Sequence, residues 1–305
     1  MVKDSFWDSS KRPHTKIKHR ILRDYLSAWS KIFGNRNWCK DIYYIDCCSG
    51  RGKYDEQGKK DSVDGSPIIA LEIAKIFKEK YKKNMICLFI EKDQNNYNNL
   101  KKFTQHYESE GLIFDCLKGD INNMINQVIE TIPRESPVFF FIDPENLGIK
   151  RSTIQTMIEI PNIKEFLITY IYKGAERSLG LISKYKKSMS VVLKKRILGN
   201  FKKIKEIFGD DWKVWPNKQK DYLETYLKPI TEFNKDCEPQ YRLKAKIIDI
   251  YYNKGRSKYY LIFLSRNDIA NKIIQDIFTA VKTEKSFLAS RENKRIFQDK
   301  FNFKT

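Results

Sequence analysis

Residues 43–54 read YYIDCCSGRGKY, in which an apolar run leads into Asp46 and then into two glycines, Gly50 and Gly52. A strand that ends in a glycine-containing turn is the usual ligand cradle of a doubly wound sheet. Glycine permits the φ values and the close backbone approach that such a turn needs. A nicotinamide-binding fingerprint requires a third glycine three positions later, and Asp55 stands there. The turn therefore predicts a bound ligand and disfavours a nicotinamide dinucleotide.

The segments on either side of this turn alternate between helix and strand patterns. Residues 15–33 place apolar side chains at helical spacing, and a second helix is predicted to start at Ser66 as its N-cap. Apolar runs such as MICLFI (85–90) and PVFFFIDP (137–144) then alternate with further helical patterns. This order predicts an α/β fold with a doubly wound, mostly parallel, Rossmann-like sheet.

The alternation is interrupted between residues 174 and 235, where apolar residues recur at helical spacing. Two β-rich runs, KAKIIDIYYN and KYYLIFLSRN, follow; the short KGRS connection between them predicts an antiparallel hairpin. The sequence thus divides into an N-terminal helical segment (1–40), a Rossmann-like cofactor-binding core (41–173), a basic helical insertion (174–235), the remainder of the core with the hairpin and a helix (236–285), and a basic C-terminal tail (286–305).

The composition is strongly basic, with 58 Lys and Arg against 38 Asp and Glu and a net charge of +20. This excess favours a polyanionic partner such as nucleic acid; generic use of lysine as a solubilising residue is the alternative. No run approaches the roughly 18–20 apolar residues of a membrane span, and no signal-peptide pattern opens the chain. We therefore expect a cytoplasmic protein with no membrane partner. The six cysteines form no CxxC pair, so we expect no metal site.

Carboxylates close three successive predicted strands: Asp46, Glu91 and Asp120. The first suits the ammonium of S-adenosylmethionine, the second its ribose hydroxyls and the third its adenine amino group. Each acid alone is compatible with a solvated strand end, but the three together with the glycine turn predict S-adenosylmethionine as the cofactor. The predicted cofactor-binding residues are Asp46, Cys47, Ser49, Gly50, Gly52, Glu91 and Asp120.

The fourth core strand ends in Asp143, Pro144 and Glu145, followed by Asn146. Amino-methylating enzymes carry a (D/N)PP(Y/F) motif here, whose acid and proline carbonyl accept hydrogen bonds from the target amine while the ring stacks on its base. This chain lacks the aromatic residue, so the motif permits amine methylation without requiring it. We assign Asp143, Pro144 and Glu145 to catalysis.

The chain resembles the three-Cys-motif partner (TcmP) protein family. The resemblance runs through HTKIKHRILRDYLSAW, YYIDCCSGRGKY, GSPIIALEIA, LFIEKD, FFFIDPENLG and the late YYLIF strand, and so covers most of the chain. Family members read DGFAGPG where this chain has DCCSGRG, and DPFG where it has DPEN. The resemblance implies a class I methyltransferase-like fold, a three-Cys-motif partner protein, cofactor roles for Asp46, Gly50, Gly52 and Glu91, and a place for Asp143 and Pro144 in the catalytic pocket.

Basic residues cluster in two further places. At the start of the first helix, His14 or Lys18 lines a substrate mouth, or else His14 merely precedes an N-cap at Thr15 and His19 is exposed. Between residues 173 and 205, eleven basic residues stand against one acid, a pattern that suits a phosphate backbone, a solvated face or an acidic partner protein. The predicted substrate or nucleic-acid residues are His14, Lys16, Lys18, Lys186, Lys187, Lys194, Lys195 and Arg196.

These patterns favour an S-adenosylmethionine-dependent methyltransferase that acts on nucleic acid, RNA ahead of DNA. Two alternatives stay open. One is a non-catalytic adaptor that retains the methyltransferase fold and binds nucleic acid or a partner protein. The other is a metal-dependent nuclease that uses Asp143 and Glu145 with Glu91 and Lys92.

Overall fold

The computed structural model of the protein describes residues 13–54, 63–145, 148–183, 190–209, 219–252 and 256–283. Its strands are β1 (Asp41–Asp46), β2 (Lys53–Tyr54), β3 (Val63–Asp64), β4 (Asn84–Glu91), β5 (Phe114–Lys118), β6 (Val138–Ile142), β7 (Lys164–Tyr170), β8 (Lys244–Tyr252) and β9 (Arg256–Ser265). Its helices are α1 (Pro13–Gly34), α2 (Ser66–Tyr81), α3 (Gln94–Thr104), α4 (His106–Ser109), α5 (Ile121–Glu130), α6 (Arg151–Glu159), α7 (Tyr172–Ser183), α8 (Val191–Phe208), α9 (Gln219–Lys235) and α10 (Asp268–Thr283).

Seven strands form one sheet in the order β5-β4-β1-β6-β7-β9-β8, and β2 pairs with β3 in a separate two-stranded ribbon. Strands β5, β4, β1, β6 and β7 are mutually parallel, whereas β9 is antiparallel to both β7 and β8. The chain winds from β1 outward to β5 and then returns to continue from β6 on the other side. The predicted doubly wound, mostly parallel sheet with an antiparallel hairpin is confirmed.

The sheet is covered on both faces, which explains why its central strands are apolar along their whole length. Every residue of β6 is buried, because its side chains alternate between two cores. Helices α1, α2, α3 and α10 pack on one core, and α5, α6, α8 and α9 pack on the other. Both cores end at the carboxyl edge of the parallel strands, where the polar side chains of the candidate site emerge.

Helix α1 crosses the first core with its apolar stripe inward. Ile21, Leu22, Tyr25, Leu26 and Trp29 are each at most 1% exposed. The ring of Tyr25 lies 5.6 Å from that of Phe139 on β6 and 4.6 Å from that of Phe263 on β9. These contacts fix the position of the helix on the sheet, and with it the position of the side chains in its first turns.

Two predicted helix starts are wrong by one or two residues. The N-cap of α2 is Gly65, and Ser66 is already the first helical residue, with its neighbouring proline in the first turn. Helix α1 begins at Pro13, so Thr15 is not its N-cap. The displacement at Ser66 matters for function, because the Ser66 hydroxyl is used by Asp46 instead of by the helix end.

The helical region predicted for residues 174–235 contains α8 and α9, and α7 already begins at Tyr172. The predicted C-terminal tail (286–305) lies outside the described residues. None of the helices in the described ranges is long and apolar enough to cross a membrane.

Candidate functional site

Three acids meet at the carboxyl edge of the sheet, because strands β4, β1 and β6 are adjacent and parallel. Asp46 is the last residue of β1, Glu91 is the last residue of β4, and Asp143 directly follows β6. Asp46 is fully buried and Glu91 is 8% exposed. In a doubly wound sheet this edge, between strands that lead in opposite directions, is where ligands bind.

Asp46 is a buried carboxylate surrounded by neutral donors. The Tyr44 hydroxyl and the Cys48 backbone N–H each donate to it at 3.3 Å, and the Ser66 hydroxyl donates as well. Burial raises the pKa of Asp46 to about 7 against these hydrogen bonds, and the nearby Asp143 carboxylate raises it further. Within the described part of the chain no cation pairs with Asp46. The carboxylate is therefore suited to receive a positively charged ligand group.

The glycine turn is held to the neighbouring strands by its backbone. The Cys47 N–H donates to the Phe141 carbonyl at 2.9 Å, and the Ser49 N–H donates to the Ile90 carbonyl at 2.9 Å. The Gly50 N–H donates to Glu91 at 2.8 Å. Gly50 and Gly52 have φ values of 66° and 89°, in the left-handed region that favours glycine. The turn is thus fixed before any ligand binds.

Glu91 serves two backbone groups. One carboxylate oxygen accepts from Gly50, and the other accepts from the Asp93 N–H at 2.7 Å. A carboxylate oxygen has two acceptor positions, so both oxygens retain capacity for a ligand hydroxyl. The role predicted for Glu91 toward a ribose is compatible with this arrangement, and the residue also orders the turn itself.

Asp120 is the N-cap of α5, and its Oδ1 accepts from both the backbone N–H and the side-chain amide of Asn122 at 2.9 Å. Asn122 also donates to the Gly148 carbonyl at 2.7 Å and accepts from the Lys150 N–H at 2.9 Å. It thereby anchors the segment that follows the Asp143-Pro144-Glu145 motif. Asn122 is a site-supporting residue that sequence reasoning missed.

Lys18 of α1 forms an ion pair and hydrogen bond with Asp143. The two side chains are 11% and 17% exposed, so the pair is largely removed from water. Since 125 residues separate the partners, only the path of α1 over the sheet brings them together. Lys18, predicted to line the substrate mouth, is therefore placed against the acid of the predicted catalytic motif.

His19 follows Lys18 and is also buried, at 5% exposure, which contradicts the alternative of an exposed His19. Its ring lies 5.5 Å from that of Tyr54, which directly follows the glycine turn. Burial and the Lys18 charge lower the pKa of His19 to about 3, so the ring is neutral. One ring nitrogen hydrogen-bonds the backbone of Asp64, while Nδ1 has no hydrogen-bond partner among the described residues.

The remaining predicted residues fall into three groups. Pro144 is half-buried and Glu145 exposed beside Asp143, and Lys16 is half-buried on α1. The side chain of His14, and Lys186 and Lys187, lie outside what the structure describes. Lys194, Lys195 and Arg196 lie on α8, which is remote in sequence from the three strand-end acids. Lys194 is half-buried, and Lys195 and Arg196 are exposed. Across the described residues, no three His, Cys, Asp or Glu side chains are grouped so as to hold a metal ion.

Helix α8 presents a basic outer face. Lys195, Arg196, Lys202 and Lys203 are exposed, and the apolar side chains of Ile197, Ile204 and Phe208 are buried beneath them. The same face exposes Leu198 at 62% and, at its start, Val192 at 79%. This geometry is compatible with all three predicted roles of the basic segment: contact with a phosphate backbone, a solvated helix face, or contact with an acidic partner protein.

A sequence signal for the Lys18–Asp143 pair was present. Lys18, Leu22, Tyr25 and Trp29 stand at i, i+4, i+7 and i+11, which places a lysine on the buried stripe of α1. A lysine on such a stripe requires a partner, because burying an unpaired charge is costly. The periodicity cannot name that partner.

No protein-family model and no curated protein matches the sequence. Among solved structures, a Legionella pneumophila str. Philadelphia 1 protein of the family model DUF519 is 11% identical, with a TM-score of 0.53 over 87% of this chain and 92% of its own. The O-methyltransferase TomG from Streptomyces achromogenes, in complex with SAM, is 10% identical, with a TM-score of 0.41 over 87% of this chain and 99% of its own. The O-methyltransferase from Bacillus cereus, in complex with SAH, is 10% identical, with a TM-score of 0.40 over 80% of each chain.

This chain has a doubly wound, Rossmann-like fold. At these identities the likeness concerns the fold alone. The sheet order and the first similarity carry that conclusion, and chemistry has to be argued from the residues at the carboxyl edge.

Proposed function

We propose that the protein is an S-adenosylmethionine-dependent methyltransferase that acts on nucleic acid, with RNA favoured over DNA. The observation that supports it most strongly is Asp46, a fully buried carboxylate at the end of β1 beside a preformed glycine turn. A buried acid with a raised pKa in a ligand-binding position is a mark of a functional site.

The residues present fit the cofactor. Asp46 would hold the ammonium, because an approaching cation offsets the cost of burying the carboxylate. The ribose hydroxyls would lie at Glu91, whose oxygens keep acceptor capacity, and the turn around Gly50 and Gly52 would pass under the nucleoside. When bound, S-adenosylmethionine supplies an electrophilic methyl group on a sulfonium centre.

The charge distribution supports a nucleic-acid substrate. The chain carries a net charge of +20, and the exposed basic residues of α8 form a surface that can follow phosphates. The resemblance to three-Cys-motif partner proteins is part of this proposal. It adds a three-Cys-motif protein as the expected partner.

The test is a calorimetric titration of S-adenosylmethionine and S-adenosylhomocysteine into the wild type, Asp46→Ala and Asp115→Ala. Asp115 is an exposed acid on β5 and serves as the matched control. We expect micromolar binding to the wild type and control, and none to Asp46→Ala. Binding that is equal in all three proteins, or absent from a folded wild type, would contradict the proposal.

A non-catalytic adaptor is the second candidate, and one observation favours it. The acid of the Asp143-Pro144-Glu145 motif is already paired with Lys18, and no aromatic residue follows the proline to stack on a base. Such a protein would bind the cofactor and RNA without methyl transfer. Transfer of a labelled methyl group to bulk RNA, lost in Asp143→Ala, would exclude the adaptor.

A further inference from the structure

We propose that the methyl acceptor is a hydroxyl group, in RNA a ribose 2′-hydroxyl, held between Lys18, Asp143 and His19. The inference rests on the proposed function and names its acceptor. It starts from the two buried residues that α1 places near Asp143 at the end of β6, Lys18 and His19.

The Lys18–Asp143 pair opposes amine methylation. An amine that takes a methyl group gains positive charge before it loses a proton, and a fixed ammonium beside it raises the energy of that transition state. Lys18 already balances the charge of the Asp143 carboxylate, so this acid offers little stabilisation to the positive charge of a methylated amine. The motif position that would carry a stacking ring is Asn146.

The same pair favours a hydroxyl acceptor. A hydroxyl oxygen gains negative charge as its proton leaves, and an ammonium in a water-poor site stabilises that charge. Lys18 meets this requirement, because its side chain is 11% exposed and its position is fixed by Asp143. The ion pair therefore offers the hydroxyl a hydrogen-bond donor, Lys18, and a proton acceptor, Asp143, side by side.

His19 supplies a second acceptor for the hydroxyl hydrogen. Because the bond to the Asp64 backbone uses Nε2, the neutral ring presents Nδ1 as a lone pair, and that atom has no partner among the described residues. A buried acceptor without a partner is costly, so a ligand donor is expected there. A hydroxyl both donates and accepts, and it therefore satisfies His19 and Lys18 at once.

The transfer balances with these groups. The acceptor oxygen forms a bond to the methyl carbon as the methyl–sulfur bond breaks, and the electron pair of that bond stays on sulfur in S-adenosylhomocysteine. The O–H bond breaks and its electron pair remains on oxygen. The hydrogen, which His19 Nδ1 accepts in the bound complex, turns to the Asp143 carboxylate for the transfer; Asp143 takes the proton and releases it to water. No oxidant or reductant takes part.

The experiment incubates the wild-type protein with S-adenosylmethionine labelled in its methyl group and with total bacterial RNA. The RNA is then digested to nucleosides, and the labelled products are separated by mass spectrometry. We expect the label in 2′-O-methyl nucleosides and none in matched total DNA, which lacks the 2′-hydroxyl. Lys18→Met is expected to lower incorporation at least about 100-fold, and Lys18→Arg to restore part of it.

Three outcomes separate this inference from the proposed function. Label on base amino groups overturns the hydroxyl acceptor and leaves the methyltransferase standing. No label on RNA or DNA, with cofactor binding intact by calorimetry, overturns both. Lys31→Met, an exposed lysine on the same helix, is the matched control and is expected to retain incorporation. Equal incorporation by Lys18→Met and Lys31→Met would also overturn the inference.

Discussion

Asp46 and Glu165 are two buried acids with raised pKa values, and they lie at opposite edges of one sheet. Both carboxyl groups are at most 3% exposed, and burial raises the pKa of each to about 7. Asp46 ends β1 at the carboxyl edge, whereas Glu165 is the second residue of β7 at the amino edge. A raised pKa therefore does not by itself mark a ligand site.

The partners of the two acids explain the difference. Glu165 accepts from the Tyr25 hydroxyl at 2.6 Å and from the Ser265 hydroxyl at 3.1 Å, so it joins α1, β7 and β9. Glu165 therefore has a structural role: it holds α1 to the sheet. Asp46 receives longer bonds, from Tyr44 on its own strand and from Cys48 in the turn that follows, and it lies at the edge of the sheet where ligands bind. The position in the fold, and not the pKa, separates binding from scaffolding.

The largest expected effect is the loss of cofactor affinity when Asp46 is neutralised. We expect Asp46→Asn to raise the Kd for S-adenosylmethionine at least about 100-fold, because a buried charge pair is lost. Glu165→Gln is expected to leave the Kd within about twofold of wild type, since it changes no group at the carboxyl edge. Calorimetry of both variants measures the two Kd values. An equal loss of affinity in Asp46→Asn and Glu165→Gln would show that the two acids do not differ in their role toward the cofactor.

The second effect concerns the hydrogen bond between Tyr25 and Glu165, which holds α1 to the sheet. Tyr25→Phe removes the shorter bond to Glu165 and leaves a buried carboxyl oxygen unsatisfied, which is expected to lower the free energy of unfolding by about 1–3 kcal/mol. Urea unfolding measures it, and Tyr241→Phe, at an exposed tyrosine (51%), is the control. An unchanged unfolding midpoint in Tyr25→Phe would show that Glu165 does not hold α1.

The third effect is a pH dependence of cofactor binding. The pKa of Asp46 is raised to about 7, so its protonated form stabilises the cofactor-free fold below that pH, and this stabilisation is lost as the pH rises through 7. An ammonium binds the ionised form, so the Kd should fall roughly 25-fold between about pH 5.5 and about pH 7.5. Glu165→Gln should keep this dependence and Asp46→Asn should lose it; a pH-independent wild type would contradict the assignment.

The smallest effect concerns the hydrogen bond between Ser265 and Glu165. Ser265→Ala removes the longer of the two bonds to Glu165 and is expected to cost about 1 kcal/mol, less than Tyr25→Phe. The Ser265 hydroxyl also accepts from the Asn267 N–H at 3.0 Å, so part of any loss belongs to the start of α10. Urea unfolding of the double variant with Tyr25→Phe separates the two contributions, and a larger loss from Ser265→Ala would reverse the expected order.

The doubly wound sheet and the row of acids at its carboxyl edge follow from local patterns in the sequence. Apolar runs at 85–90 and 138–142 with helical patterns between them report burial on both faces, which is a local property of the chain. The acids follow from it, because parallel strands bring their last residues to one edge. Asp46, Glu91 and Asp143 were predictable for this reason.

The partners of the buried charges depend on long-range packing and could not be predicted from the sequence. Lys18 meets Asp143 across 125 residues, and Tyr25 meets Glu165 across 140. Since Lys18 and Tyr25 lie two turns apart, about 10 Å along α1, one helix reaches both edges of the sheet. Periodicity shows which face of a helix is buried; it does not show the angle or position at which that helix crosses the strands. That crossing is set by packing against residues such as Phe139 and Phe263, and it places Lys18 against Asp143.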